Sequence, residues 1–184
     1  ELTKIVAEHY NPIIELIRTI EKPVVCCVNG VAAGAGANIA LACDIVFASK
    51  ASSFIQAFSA IGLIPDSGGT YILPRLIGWQ KATALMMLGD KVGAEEAEKM
   101  GMIYKAVEAD ELMESATKVA TRLSNMATYG LGLTKRALNA SFTNDLKTQL
   151  ELEGELQTLA GQSYDYKEGV NAFLEKRKPN YKGN

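Results

Sequence analysis

The sequence predicts an α/β chain, with a short parallel sheet in its first third and a long helical region after it. Three observations carry this. Two apolar runs, Val24 to Val28 and Asp44 to Ser49, flank a short helical stretch at strand–helix–strand spacing. From Gly68 onward the short runs give way to mainly helical periodicity. The chain has 184 residues, 48% of them hydrophobic; at this size a chain buries about 70% of its unfolded surface, so a core forms without disulfide or metal staples.

Taken in order, residues 1–20 carry Ile5, Val6, Ile13, Ile14, Leu16, Ile17 and Ile20, a helical stripe interrupted by Pro12. Val24 to Val28 is apolar and β-branched and reads as a buried strand. Asn29-Gly30 marks a sharp turn. Gly34-Ala35-Gly36 opens a short apolar helix that runs to about Cys43. Asp44 to Ser49 is a second strand and Ser53 to Ala57 a third. Met102 to Val107 is one further strand candidate. Asp110 to Asn125, Leu133 to Ala140, Asn144 to Ala160 and Tyr164 to Arg177 read as helices, and the polar tail from Lys178 as loose.

The charge balance excludes some partners. A net charge of −2 lacks the basic stripe of a nucleic-acid binder. No run approaches the ~20 apolar residues of a membrane span, and the opening Glu1-Leu-Thr-Lys begins an amphipathic helix, not a signal peptide. Cys26 and Cys27 are adjacent in a strand and point to opposite faces, so with Cys43 they read as small buried thiols of a reducing compartment, here taken as the cytoplasm. The single histidine, His9, has no Cys or second His near it to build a metal site, and no G-x-S-x-G elbow exists for it to serve.

Two stretches carry chemistry. In Asn29-Gly-Val-Ala-Ala-Gly-Ala-Gly, Gly34 and Gly36 allow a tight turn and close ligand approach at a helix start. The first N–H groups of that helix lack intrahelical partners and suit an oxyanion. The stretch is no dinucleotide fingerprint, because Ile39 stands where a third glycine is needed. With an all-apolar lining, the fitting guest is an uncharged carbonyl oxygen that gains charge in the reaction; one such donor is worth about 10²–10³ in rate. A purely structural strand-to-helix turn is the alternative.

The other stretch is Ile61-Gly-Leu-Ile-Pro-Asp-Ser-Gly-Gly-Thr70. Asp66 could simply cap the next helix, but Ser67 is available for that. Its neighbours Phe58, Leu63 and Ile64 are apolar, and a carboxylate drawn out of water is a stronger proton acceptor.

These stretches resemble the enoyl-CoA hydratase/isomerase, or crotonase, family. The matching pieces are K-P-V-V-C-C-V-N-G-V-A-A-G-A-G (22–36), A-L-A-C-D-I-V-F-A (40–48), G-L-I-P-D-S-G-G-T (62–70), L-P-R-L-I-G (73–78), G-M-I-Y-K-A-V (101–107) and E-G-V-N-A-F-L-E-K-R-K-P (168–179). The resemblance implies a crotonase-like spiral of ββα turns, of which residues 1–107 would be the back portion, with an N-terminal part missing. Residues 108–184 would then be a helical trimerisation region, giving a homotrimer or dimer of trimers. It implies an acyl-CoA thioester held by backbone N–H groups, one of them that of Ala35, with Val31, Ala33, Gly34, Phe58 and Ile61 along the acyl-CoA channel. Coenzyme A belongs to the substrate, and no separate cofactor is implied.

The departures decide the expected activity. The two glutamates used by hydratases of the family fall at Asn38 and Phe58, and a carboxylate appears at Asp66 instead. This pattern, with Y-G-L-G-L-T-K (129–135), resembles the ring 1,2-epoxyphenylacetyl-CoA isomerases of phenylacetate degradation. The expectation is an acyl-CoA isomerase that shifts a double bond or opens a ring epoxide, with Asp66 moving the proton and Asn38 orienting substrate. The alternatives are a 2-enoyl-CoA hydratase with atypical catalytic residues and a non-catalytic CoA-binding oligomer.

Overall fold

The structure, a computed structural model, describes residues 1–184. The chain forms two compact units, Glu1–Arg18 with Val24–Thr117, and Thr19–Pro23 with Lys118–Asn184.

The first unit opens on α1 (Leu2–Ile5), a π turn (Val6–Tyr10) and α2 (Asn11–Thr19). The wide turn ends two residues before Pro12, which has no N–H for a regular ladder. The strands are β1 (Val25–Val28), β2 (Val31–Ala33), β3 (Ile45–Ser49) and β4 (Ser53–Ile55), with α3 (Ala35–Ala42) between β2 and β3. After them come a 3₁₀ turn (Ser59–Ile61), α4 (Gly69–Ile77), α5 (Trp79–Leu88), β5 (Lys91–Gly93), α6 (Ala94–Lys99) and β6 (Lys105–Val107).

Two three-stranded sheets result, ordered β1-β3-β6 and β2-β4-β5. The first is parallel throughout, with Val25 opposite Ile45 and Phe47 opposite Lys105. In the second, β2 pairs parallel with β4, but β5 runs antiparallel to β4. Neither β2 nor β5 is expected from the sequence. Each has only three residues, too few for a period of two to register, and each exists through its pairing with β4.

The core of this unit gathers Val28, Ala37, Leu41, Val46, Ala48, Phe54 and Leu73. Helix α3 is apolar nearly all round and correspondingly buried, and its alanines let it lie close to the sheet. The start of β1 is tied to the start of β3 by Asp44, whose Oδ2 accepts from the Val24 N–H at 2.8 Å while Oδ1 lies 3.5 Å from Arg18. The three cysteines form no disulfide and are half-buried; Cys26 and Cys43 pack against the core. A hydrogen bond to Cys43, then burial, pushes the Cys26 thiol far above its usual range.

The chain continues as α7 (Leu112–Ser124), α8 (Thr128–Ala140), α9 (Leu146–Gln162) and α10 (Tyr164–Leu174). Helix α8 begins five residues before the expected Leu133. Gly132 serves packing there, since a β-carbon on it would lie 2.6 Å from the Glu21 carbonyl oxygen. Lys135 Nζ donates to the Lys22 carbonyl at 3.1 Å and Arg136 pairs with Glu21, so segment 19–23 is held along α8.

The tail is not loose, contrary to expectation. Arg177 forms a two-pronged pair with Glu168 at 2.6 and 3.0 Å, and Glu168 also accepts from the Asn180 N–H. Asp165, 2% exposed, accepts from the N–H groups of Lys182 and Gly183. Two buried carboxylates on α10 thus satisfy the backbone of a segment whose composition alone looks solvated.

Candidate active site

Helix α3 sets the site. Gly34, its N-cap, has φ +53° and ψ −124°, a conformation that side-chain-bearing residues avoid. Its N–H donates to the Ile55 carbonyl at 2.9 Å, which fixes the turn against β4. The first intrahelical bond is that of Asn38 to the Gly34 carbonyl, and no side chain caps the helix. The N–H groups of Ala35 and Gly36 therefore stand at the positive end of α3, with Ala35 half-buried and Gly36 exposed.

Val31 and Ala33 share the exposed face of β2, while Ala32 between them is buried. Phe58 is buried with its ring 3.6 Å from where a Gly34 β-carbon would be, so it shapes the turn from behind. Ile61 is 72% exposed on the 3₁₀ turn that leads to Asp66.

Asp66 is half-buried and lines a cavity of about 430 Å³ with Leu2, Val6, Ala7, Leu63, Ile64 and Pro65; Thr3 and Asn11 are its other polar lining. Ser67 does not cap α4, contrary to the expectation. Its hydroxyl donates to Asp66 Oδ1 at 2.9 Å, and the N-cap is Gly68, which makes no side-chain bond. Ser67 is fully buried at φ +50° and Gly68 lies at φ +73°, so Asp66 is followed by two left-handed residues. Strain of this kind persists only where the surroundings over-determine it.

Asn38 is 1% exposed, and its amide is engaged at both ends. Nδ2 donates to the Asp66 carbonyl at 2.9 Å, and Oδ1 accepts from Gln56 Nε2 at 2.8 Å. The structure thus brings Asn38 to Asp66, and Phe58 to Gly34. Ala35, one turn before Asn38 on α3, does not line the Asp66 cavity. Gln56 and Gly69 escape a reading of the sequence; the one signal was a glutamine at the end of an apolar strand. No three His, Cys, Asp or Glu side chains converge to hold a metal ion.

The tight glycine turn at the start of α3 and the loop that carries Asp66 can be compared with known proteins. The enoyl-CoA hydratase/isomerase family profile matches residues 1–184. The chain belongs to the enoyl-CoA hydratase/isomerase family. It is 49% identical over 178 residues to the 1,2-epoxyphenylacetyl-CoA isomerase of Escherichia coli (strain K12), covering 97% of this chain and 68% of that protein. It is 39% identical to the trans-2-decenoyl-[acyl-carrier-protein] isomerase of Streptococcus mutans, covering 97% of this chain and 68% of that protein. The crystal structure of an enoyl-CoA hydratase from Bacillus anthracis superposes with a TM-score of 0.95 at 32% identity, covering 100% of this chain and 70% of that one. The fold of this enoyl-CoA hydratase/isomerase family member is accordingly the crotonase fold, and the family is one of enzymes, most of the relatives being named for acyl-CoA substrates.

Proposed function

We propose that the protein is an acyl-CoA isomerase, shifting a double bond or opening a ring epoxide through a thioester enolate. The observation that supports this best is Asp66, a carboxylate on an apolar cavity, where positions 38 and 58 hold an amide and a phenyl ring. The Ala35 N–H receives the thioester oxygen. Asp66 removes the proton at the carbon next to the thioester carbonyl, and the electron pair moves into that carbonyl. In a 3-enoyl thioester the same proton returns two carbons further along, which leaves the 2-enoyl product. One base suffices for this transfer, whereas hydration needs acid and base work around a water. The relatives named as isomerases point the same way.

The protein is proposed to work as a homotrimer or dimer of trimers in the cytoplasm. In support, unit Lys118–Asn184 exposes Leu138, Leu146, Leu150 and Leu159, and no helix is long and apolar enough to cross a membrane. Coenzyme A enters only as part of the substrate.

The test compares turnover on a 3-enoyl-CoA, a 2-enoyl-CoA and a ring-epoxide phenylacetyl-CoA. Isomerisation of the first or last, with slow hydration of the second, is expected. Hydration as the fastest reaction overturns the reading.

A further inference from the structure

We propose that Gln56 is a positioning residue for Asp66, acting through Asn38; the proposal rests on the reading of Asp66 as the proton-shifting base. Gln56 follows β4 and is 4% exposed. The chain of bonds has a fixed direction, and the Asp66 backbone carbonyl sets it. A carbonyl only accepts, so Asn38 must turn its NH₂ group toward Asp66, 2.9 Å away. Asn38 Oδ1 then faces Gln56, which must present its own NH₂ group, 2.8 Å away. Gln56 Oε1, on the far side, is buried with no protein donor in reach, so nothing there competes for the orientation.

Three segments meet on this one amide. They are the end of β4 at Gln56, the Asp66 loop, and the start of α4, where a β-carbon on Gly69 would lie 2.3 Å from Asn38 Nδ2. Asn38 is also one turn from Ala35 on α3. The relay therefore references the base-bearing loop to the helix that carries the oxyanion donor. A proton shift depends on that distance, and a misplacement of about 1 Å can cost about 100-fold in rate. The titratable groups around Gln56 are Asp66, across the relay, and Asp90, in the small cleft beside it with Phe54, Leu85 and Met102.

The experiment measures kcat and KM of Gln56→Glu in the full chain, with 3-hexenoyl-CoA as probe, from pH 5 to 9. Once ionised, the introduced carboxylate has no proton to donate. Asn38 must then turn its NH₂ group toward position 56 and release the Asp66 carbonyl. The expected result is a kcat loss of about 10- to 100-fold with KM within about twofold. As the pH falls, the introduced carboxyl takes up a proton and can donate to Asn38 Oδ1 again. The variant-to-parent kcat ratio therefore climbs. A merely structural role moves the melting temperature and leaves the ratio flat.

A flat ratio near one overturns the proposal. Should Gln56→Glu fail to fold, Gln56→Met is read instead: an unchanged kcat overturns the proposal, and a lower kcat at parental KM supports it. Asp66→Asn is run alongside. If Asp66→Asn keeps full turnover, the reading of Asp66 as base fails and the relay with it. If Asp66→Asn loses turnover while Gln56→Glu matches the parent at every pH, the relay alone fails.

Discussion

Gly69 lies so close to Asn38 that a β-carbon on it would sit 2.3 Å from Nδ2 and 2.8 Å from Oδ1. Asn38 cannot swing aside, because its amide is bonded to Gln56 and to the Asp66 carbonyl. Gly69→Ala is expected to lower stability by about 1–3 kcal/mol, the usual cost of an overpacked core. Isomerisation should fall with it, since the displaced amide releases the Asp66 loop. Urea unfolding and turnover measured on the same preparation check this, and parental values in both would refute it.

Asp66→Asn keeps the shape of the side chain and still accepts from Ser67, but it removes the basic oxygen. Turnover on the best isomerisation substrate should drop about 10²–10⁴-fold, the usual worth of a positioned base. Acyl-CoA binding should change little, because in the proposed mechanism backbone N–H groups hold the thioester. Steady-state kinetics and calorimetric titration with a non-reacting acyl-CoA separate the two effects.

Gly34→Ala tests the oxyanion turn. The added methyl meets the Phe58 ring at 3.6 Å, an ordinary contact, so the cost comes from the backbone at φ +53°. With ψ −124° this conformation lies outside even the left-handed helical region, and a side-chain-bearing residue held there costs about 1–3 kcal/mol. If the turn relaxes, the Ala35 N–H moves, and kcat should fall about 10²–10³-fold, as when an oxyanion donor is removed. A destabilised variant with parental kcat would place the oxyanion donor elsewhere.

The pair of Glu168 with Arg177 predicts a pH-dependent tail. Arg177, and then the Asn180 N–H, hold the Glu168 carboxyl down from 4.5 to about 2. A lowered value in the folded state stabilises at all pH above the unfolded value, and the stabilisation is lost as pH falls toward 2. Glu168→Gln should therefore melt below the parent at pH 7, with the gap closing between pH 4.5 and 2. Thermal scans across that range decide it, and a gap independent of pH counts against the pair.

The apolar groove of about 960 Å³ lined by Leu131, Leu138, Leu150 and Leu156 predicts self-association. Leu138 and Leu150 are 61% and 57% exposed. The parent should elute as a trimer or hexamer in light scattering, and Leu138→Glu with Leu150→Glu should lower the mass. A monomeric parent would remove the prediction.

Several features are legible in the residues alone because they are local. The β-branched runs before Asn29 and after Cys43 specify β1 and β3, and the small residues after Gly34 specify a helix start with free N–H groups. A lone acid after Ile64-Pro65 marks the loop on which the base is proposed. Other features belong to tertiary structure because their partners lie far along the chain. β2 and β5 are three-residue strands that exist through β4. Ser67 reads as a cap, yet its left-handed backbone turns the hydroxyl to Asp66. The tail looks solvated until Asp165 and Glu168 meet it. Asn38 reads as a substrate-orienting amide. The fold fills both its ends with groups 18 and 28 residues away, because a buried amide must find donors and acceptors wherever packing brings them.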